Sequence, residues 1–154
     1  MTDCWNLPDI MPLTRLQRQD YPKLAASMTD SAWTVACFCA QWCGACRNWF
    51  EPFQSLSEKY PDVTFLWIDI EDHADLLNDL EIDNFPCLLI QYGDIVNFFG
   101  AIHPDIKVAE RLLLNHRSSR LEEMKGWVLA SKDRVQWQDE ANLRKLFRQA
   151  VQSA

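Results

Sequence analysis

Residues 37–49, CFCAQWCGACRNW, hold four of the chain's six cysteines within ten positions. Thiols at this density support three chemistries: disulfide exchange, metal ligation, or the packing of a small apolar side chain. Cys43 and Cys46 form a Cys-x-x-Cys at the junction of an expected strand and an expected helix. The unpaired N–H groups of a helix N-terminus favour a thiolate at the first sulfur. Cys46, one turn further on, can attack a mixed disulfide formed on Cys43, and Gly44 permits the tight turn between them. Half a zinc site has the same spacing, so the motif alone leaves redox and metal chemistry both open. Cys37 and Cys39, two apart on a strand, face the same way, toward the helix that carries Cys46. They could serve as a reserve dithiol or as metal ligands. The spacing Cys-x-Cys-x3-Cys-x2-Cys lacks the long spacer of structural zinc sites, which favours a space-filling role for both. Cys87 poses the same question more weakly, and Cys4 is incidental.

The elements that must position these thiols follow from apolar periodicity. Asp20 reads as the N-cap of a short helix to Met28, with Pro22 in its first turn. WTVACFCA is a buried strand, and Cys46, Trp49, Phe50, Phe53, Leu56 and Tyr60 recur at helical spacing, with Pro52 expected to kink that helix. VTFLWID is a second buried strand, HADLLNDL a helix, CLLIQYGDIVNFFG a hairpin turning at Gly93-Asp94, and PDIKVAERLLLNH a helix opened by proline. This order implies an α/β fold with a mixed central sheet flanked by helices on both faces. Beyond it, Ser119 and Glu122 read as a capping box for a helix through Val128, and a second stripe runs from Leu143 to Val151. The two are expected to form an α-helical hairpin, joined near residues 131–139, that packs on the domain's own flank. The expected domains are residues 1–115 and a C-terminal helical extension, 116–154.

A chain of 154 residues with 48% hydrophobic and 24% charged residues suits one soluble domain. No secretory signal and no membrane span are legible, so a cytoplasmic location and no membrane partner are expected. In such a compartment thiols stay reduced, which argues against a static disulfide framework. The net charge of −7 is uneven: 7 Lys and Arg stand against 17 Asp and Glu up to Asn115, and 8 against 5 beyond it. Residues 69–83 carry seven carboxylates and no Lys or Arg. Such a surface aids solubility and makes nucleic acid an unsuitable partner. His73, His103 and His116 show no ligand spacing and read as surface residues, and no metal or other cofactor is expected.

A second element sharpens the choice of chemistry. FCAQWCGAC, followed by NFPCLLIQYGD and FFGA, resembles the thioredoxin family from about Leu13 to Asn115. The resemblance implies the thioredoxin fold, an active-site motif of Trp42, Cys43, Gly44 and Cys46, and a cis-proline at Pro86 beside the sulfurs. It also implies that Phe85 offers its backbone to an extended substrate and that Gly100 leaves room for it. Trp42 would form a flat apolar rim beside Cys43.

Four departures from the family pattern modulate this expectation. Ala45 replaces the proline between the cysteines, and its restored N–H favours the reduced thiolate and a more oxidising disulfide. Cys37 and Trp67 occupy the places of a buried aspartate and lysine, so a weak base replaces the group that helps deprotonate Cys46. Cys39 stands in place of a tryptophan, and Pro52 falls one residue late. The expected function is thiol–disulfide exchange with disulfide-containing protein substrates, Cys43 attacking and Cys46 resolving, with electrons from a reductase or a small-thiol donor. The alternative is a thioredoxin-fold binding or chaperone-like adaptor with little redox activity. A metal or iron–sulfur site remains a third, weaker possibility.

Overall fold

The β-branched and aromatic run Trp33–Cys39 forms strand β2, the middle strand of a five-stranded mixed sheet. The computed structural model describes residues 13–78 and 80–153, so Cys4 lies outside the described residues. Val63–Asp69 (β3) pairs with β2 in parallel and sets Trp67 opposite Cys37. Cys87–Tyr92 (β4) pairs antiparallel and sets Cys87 opposite Phe38. Leu13–Arg15 (β1) lies outside β3 and Ile95–Ala101 (β5) outside β4, giving the order β1-β3-β2-β4-β5. The β4–β5 hairpin turns at Gly93, whose φ of +56° favours glycine. A Cβ there would also collide with the Asp30 carbonyl.

Helices cover both faces. Gly44–Lys59 (α2) and Ile106–Arg117 (α4) pack on one face through Trp49, Phe53, Leu56, Ala109 and Leu113, against Val35, Cys37 and Cys39 of β2. The intervening residues Ala36 and Phe38 face the other side, where they meet Tyr21–Ser27 (α1), Ala74–Leu77 (α3) and the C-terminal residues Leu143, Leu146 and Phe147. The C-terminal segment forms Leu121–Leu129 (α5), Lys132–Glu140 (α6) and Leu143–Ser153 (α7).

Buried amides tie these last helices to the sheet. Gln91 on β4 donates from Nε2 to Asn142 Oδ1 (2.8 Å), and its Oε1 accepts from the Leu143 N–H (3.0 Å). Gln138 on α6 accepts from the Val96 N–H and donates to the Val96 carbonyl, each at 2.8 Å. Trp127 on α5 donates to the Asn97 carbonyl at 3.1 Å, while the Arg134 guanidinium lies 3.2 Å above the Trp127 ring centroid. The extension thus shares the core of the sheet and is clipped to β4 and β5.

Several elements differ from the sequence expectation. The C-terminal extension has three helices, because residues 132–140 are helical and capped by Ser131, whose hydroxyl accepts from the Arg134 N–H. That helix carries too few apolar residues to show a stripe. The N-cap of α5 is Arg120, with Glu123 accepting its N–H at 2.8 Å, one residue later than the Ser119 and Glu122 box. Helix α3 is a single turn, ended by Asn78 at φ +52°. Asp20 precedes α1 but its carboxylate accepts from the Gln17 N–H instead of capping the helix. Helix α2 contains Pro52, as the sequence places it. His73, expected at the surface, is buried: its Nε2 donates to the Leu16 carbonyl (2.8 Å), so Nδ1 accepts from the Tyr21 hydroxyl.

Phe147 is fully buried and tilts against the Tyr21 ring at 5.6 Å. Phe147→Ala is expected to lower the unfolding free energy by about 3–5 kcal/mol in urea titrations. A loss under about 1 kcal/mol would show that α7 contributes no core.

Candidate active site

The chain leaves β2 at Cys39, turns through Ala40, Gln41 and Trp42, and enters α2 with Cys43 as its N-cap residue. The turn is closed by the Cys43 N–H donating to the Ala40 carbonyl (3.0 Å). It is braced by Arg47, whose Nη1 donates to the Gln41 carbonyl at 2.9 Å, a contact the sequence reading missed. Cys43 has an extended backbone (φ −84°, ψ 117°), and its carbonyl accepts from the Arg47 N–H at 3.2 Å. Among the described residues the free cysteines are Cys37, Cys43 and Cys87, and of these Cys43 alone is not buried.

Trp42 is 65% exposed and meets Phe85 edge-to-face, with ring centroids 5.5 Å apart. This contact brings the Cys43 turn against the loop before β4, where the Phe85–Pro86 peptide is cis and Pro86 is buried. Gly44 opens α2, and a Cβ added there would meet Arg47 Nη2 at an ordinary 3.7 Å. Ala45, next in α2, is exposed. Gly100 lies on β5 opposite Leu88, where an added Cβ would meet only the Phe98 ring, at 3.5 Å.

The four clustered thiols are not arranged as two independent pairs. Cys46, one turn into α2 and buried, is disulfide-bonded to Cys39 rather than to Cys43, with Cα atoms 5.8 Å apart. Cys39 was expected to fill space; the pleat that turns it toward α2 was the signal for its role. Cys37 Sγ lies 3.6 Å from Cys39 Sγ. Burial pushes the Cys37 thiol up, and the nearby Trp49 indole, whose Nε1 makes no hydrogen bond of normal geometry, offsets only part of this. Trp67 packs edge-to-face on Phe50 at 4.9 Å. Cys87 lies in the core of the opposite face, and burial pushes it up to about 12 from an ordinary 9.0.

A cleft of about 770 Å³ runs between α2 and the ends of β1, β2 and β3, bordered by Arg15, Cys39, Cys46, Arg47 and Trp67. Among the described residues no three His, Cys, Asp or Glu side chains converge to hold a metal ion, and no helix is long and apolar enough to cross a membrane.

Comparison with known proteins fits this geometry. A family model described as Thioredoxin matches residues 14–110, more than half of the chain, and ends inside α4, so α5–α7 lie beyond it. Rat thioredoxin domain-containing protein 2 is 47% identical over 67 residues, 42% of this chain and 12% of that protein. Human thioredoxin is 42% identical over 52 residues, covering 34% of this chain and 50% of its own. The chain therefore spans half or less of the length of these two relatives. A thioredoxin H-type from Populus jackii is 35% identical over 96 residues, 61% of this chain and 68% of that protein. Among solved structures, the long form of spinach chloroplast thioredoxin f superposes with a TM-score of 0.60 at 21% identity, over 73% of this chain and 93% of its own, which shows a shared fold. With the mixed sheet, the Cys-x-x-Cys at the head of α2 and a family match over most of the chain, this protein belongs to the thioredoxin family.

Proposed function

We propose that the chain is a thiol–disulfide oxidoreductase whose entry point is Cys43. The observation that carries this is the contrast among its free thiols: Cys43 stands at a helix N-terminus beside an exposed Trp42, while Cys37 and Cys87 are buried. The Cys43 thiolate attacks one sulfur of a substrate disulfide and expels the other as a thiolate, leaving a mixed disulfide. Cys46, after losing its proton, attacks Cys43 Sγ and releases the second substrate thiolate. The substrate gains two electrons and the protein holds a Cys43–Cys46 disulfide. Trp42, Phe85, Pro86 and Gly100 form the rim for an extended protein segment, and Cys37, Ala45 and Trp67 modulate the resolving step. A reductase or small thiol restores the dithiol. A thioredoxin f2 at 22% identity has been solved in complex with ferredoxin:thioredoxin reductase, which supports a partner of that kind. The cytoplasm is the fitting location.

The adaptor alternative draws on one observation: Cys46 joined to Cys39 is not free to resolve a mixed disulfide on Cys43. An insulin-reduction assay with dithiothreitol separates the two. The oxidoreductase reduces insulin faster than dithiothreitol alone, and Cys43→Ser lowers the added rate by roughly a thousandfold or more. Cys46→Ser accumulates a mixed disulfide through Cys43. A parent protein that adds nothing to the dithiothreitol rate leaves the adaptor.

The buried thiols set a pH dependence. Folded Cys37 and Cys87 keep their protons at pH values where unfolded thiols, ordinarily near 9.0, lose theirs. Their contribution is intact below that value and is lost as pH rises toward about 12. Urea unfolding under reducing conditions should show stability falling as pH rises above about 9, by up to about 1.4 kcal/mol per pH unit for each thiol. A flat profile would contradict their burial.

A further inference from the structure

Cys46 is shared. The Cys-x-x-Cys spacing gives it Cys43 as one partner, and in the structure it is bonded to Cys39, across a Cα–Cα distance of 5.8 Å that a disulfide spans without backbone movement. Cys39 and Cys46 are 2% and 1% exposed, whereas Cys43 is half-buried at the head of α2. A protein disulfide cannot reach sulfurs so covered, but Cys43 can meet one. The sheet keeps Cys39 in place: it is paired in register with Asp69 of β3, and its side chain points at the first turn of α2.

We propose that Cys39 is a second exchange partner for Cys46, so that a disulfide made at Cys43–Cys46 migrates inward to Cys39–Cys46. This rests on the oxidoreductase function, in which Cys43 admits the oxidising equivalents. In the internal step the Cys39 thiol gives its proton to water in the cleft that borders both residues, and the thiolate attacks Cys46 Sγ. The Cys39–Cys46 bond forms as the Cys43–Cys46 bond breaks, and Cys43 departs as a thiolate. The step is redox-neutral: the protein remains oxidised by two electrons, and its nucleophile is free again. In this state Cys43 can capture a second disulfide without Cys46 to release it, so the dithiol catalyst becomes a single-thiol trap until Cys39–Cys46 is reduced.

The test is a time course on the reduced full-length protein with oxidised glutathione, quenched in acid, alkylated and mapped by mass spectrometry. Chymotrypsin suits it, because cleavage after Phe38 and Trp42 separates Cys37, Cys39 and the Cys43–Cys46 peptide. Early samples should hold Cys43 bonded to Cys46 or to glutathione. Later ones should hold Cys39–Cys46, with Cys43 alkylated or carrying glutathione. Cys43→Ser, at a half-buried site, should slow the appearance of Cys39–Cys46 by about tenfold or more, since the remaining thiols are buried. In Cys39→Ala the Cys43–Cys46 bond should persist. If Cys43–Cys46 accumulates while Cys39 stays fully alkylated, migration is overturned and the oxidoreductase function stands. Equal rates of Cys39–Cys46 formation with and without Cys43 would overturn the inward route. If neither Cys43 nor Cys46 ever enters a disulfide, both proposals fall together.

Discussion

Period-two alternation along β2, held by β3 on one side and β4 on the other, dictates where the sulfurs stand. Because Val35, Cys37 and Cys39 share a face with Trp49 and Phe53, two thiols lie beneath the helix that begins at Cys43. A one-residue slip of that register would turn both into the opposite core and leave Cys46 facing Phe38. The pairing of β2 on both edges makes such a slip costly, since every ladder hydrogen bond and every buried side chain would change together.

Around this strand Cys37, Cys39 and Cys46 are buried, with a cleft along one side of Cys39 and Cys46. Where an acid could act as a base on Cys46, the chain has Cys37, which burial keeps protonated, and beside it in register the indole-bearing Trp67. The cleft beside Cys39 and Cys46 is bordered by charges of both signs, Arg15 and Arg47 with Glu51, Asp69 and Asp72. Both Cys39 and Cys46 border this cleft, so the proposed exchange has access to solvent there, a different arrangement from one built on a buried ion pair.

Much of this was legible in the sequence, for reasons that differ by element. The central strands, α2 and α4 carry long apolar patterns, so their type and order could be read, and the Trp-Cys-Gly-x-Cys with a later Phe-Pro pointed to the fold before any coordinate. Leu13–Arg15 is too short for alternation to register, and α6 has Val135 and Trp137 but no stripe. His73 gives no local sign of burial, because its partners, Leu16 and Tyr21, lie more than fifty residues away. The bond between Cys39 and Cys46 was half legible. Alternation turned Cys39 toward α2, but which two of several nearby sulfurs join depends on tertiary distances that spacing does not contain.

Gln138 has a consequence beyond anchoring α6. Its side-chain amide donates to and accepts from Val96, as the backbone of one residue in a neighbouring strand would. Strand β5 lies at the margin of the sheet, and an open margin is a template on which a second chain can add its own strand. The amide occupies that template near its start, with Trp127 on the next carbonyl. The extension therefore blocks strand addition over the first residues of β5, where the sheet would otherwise end in open backbone groups.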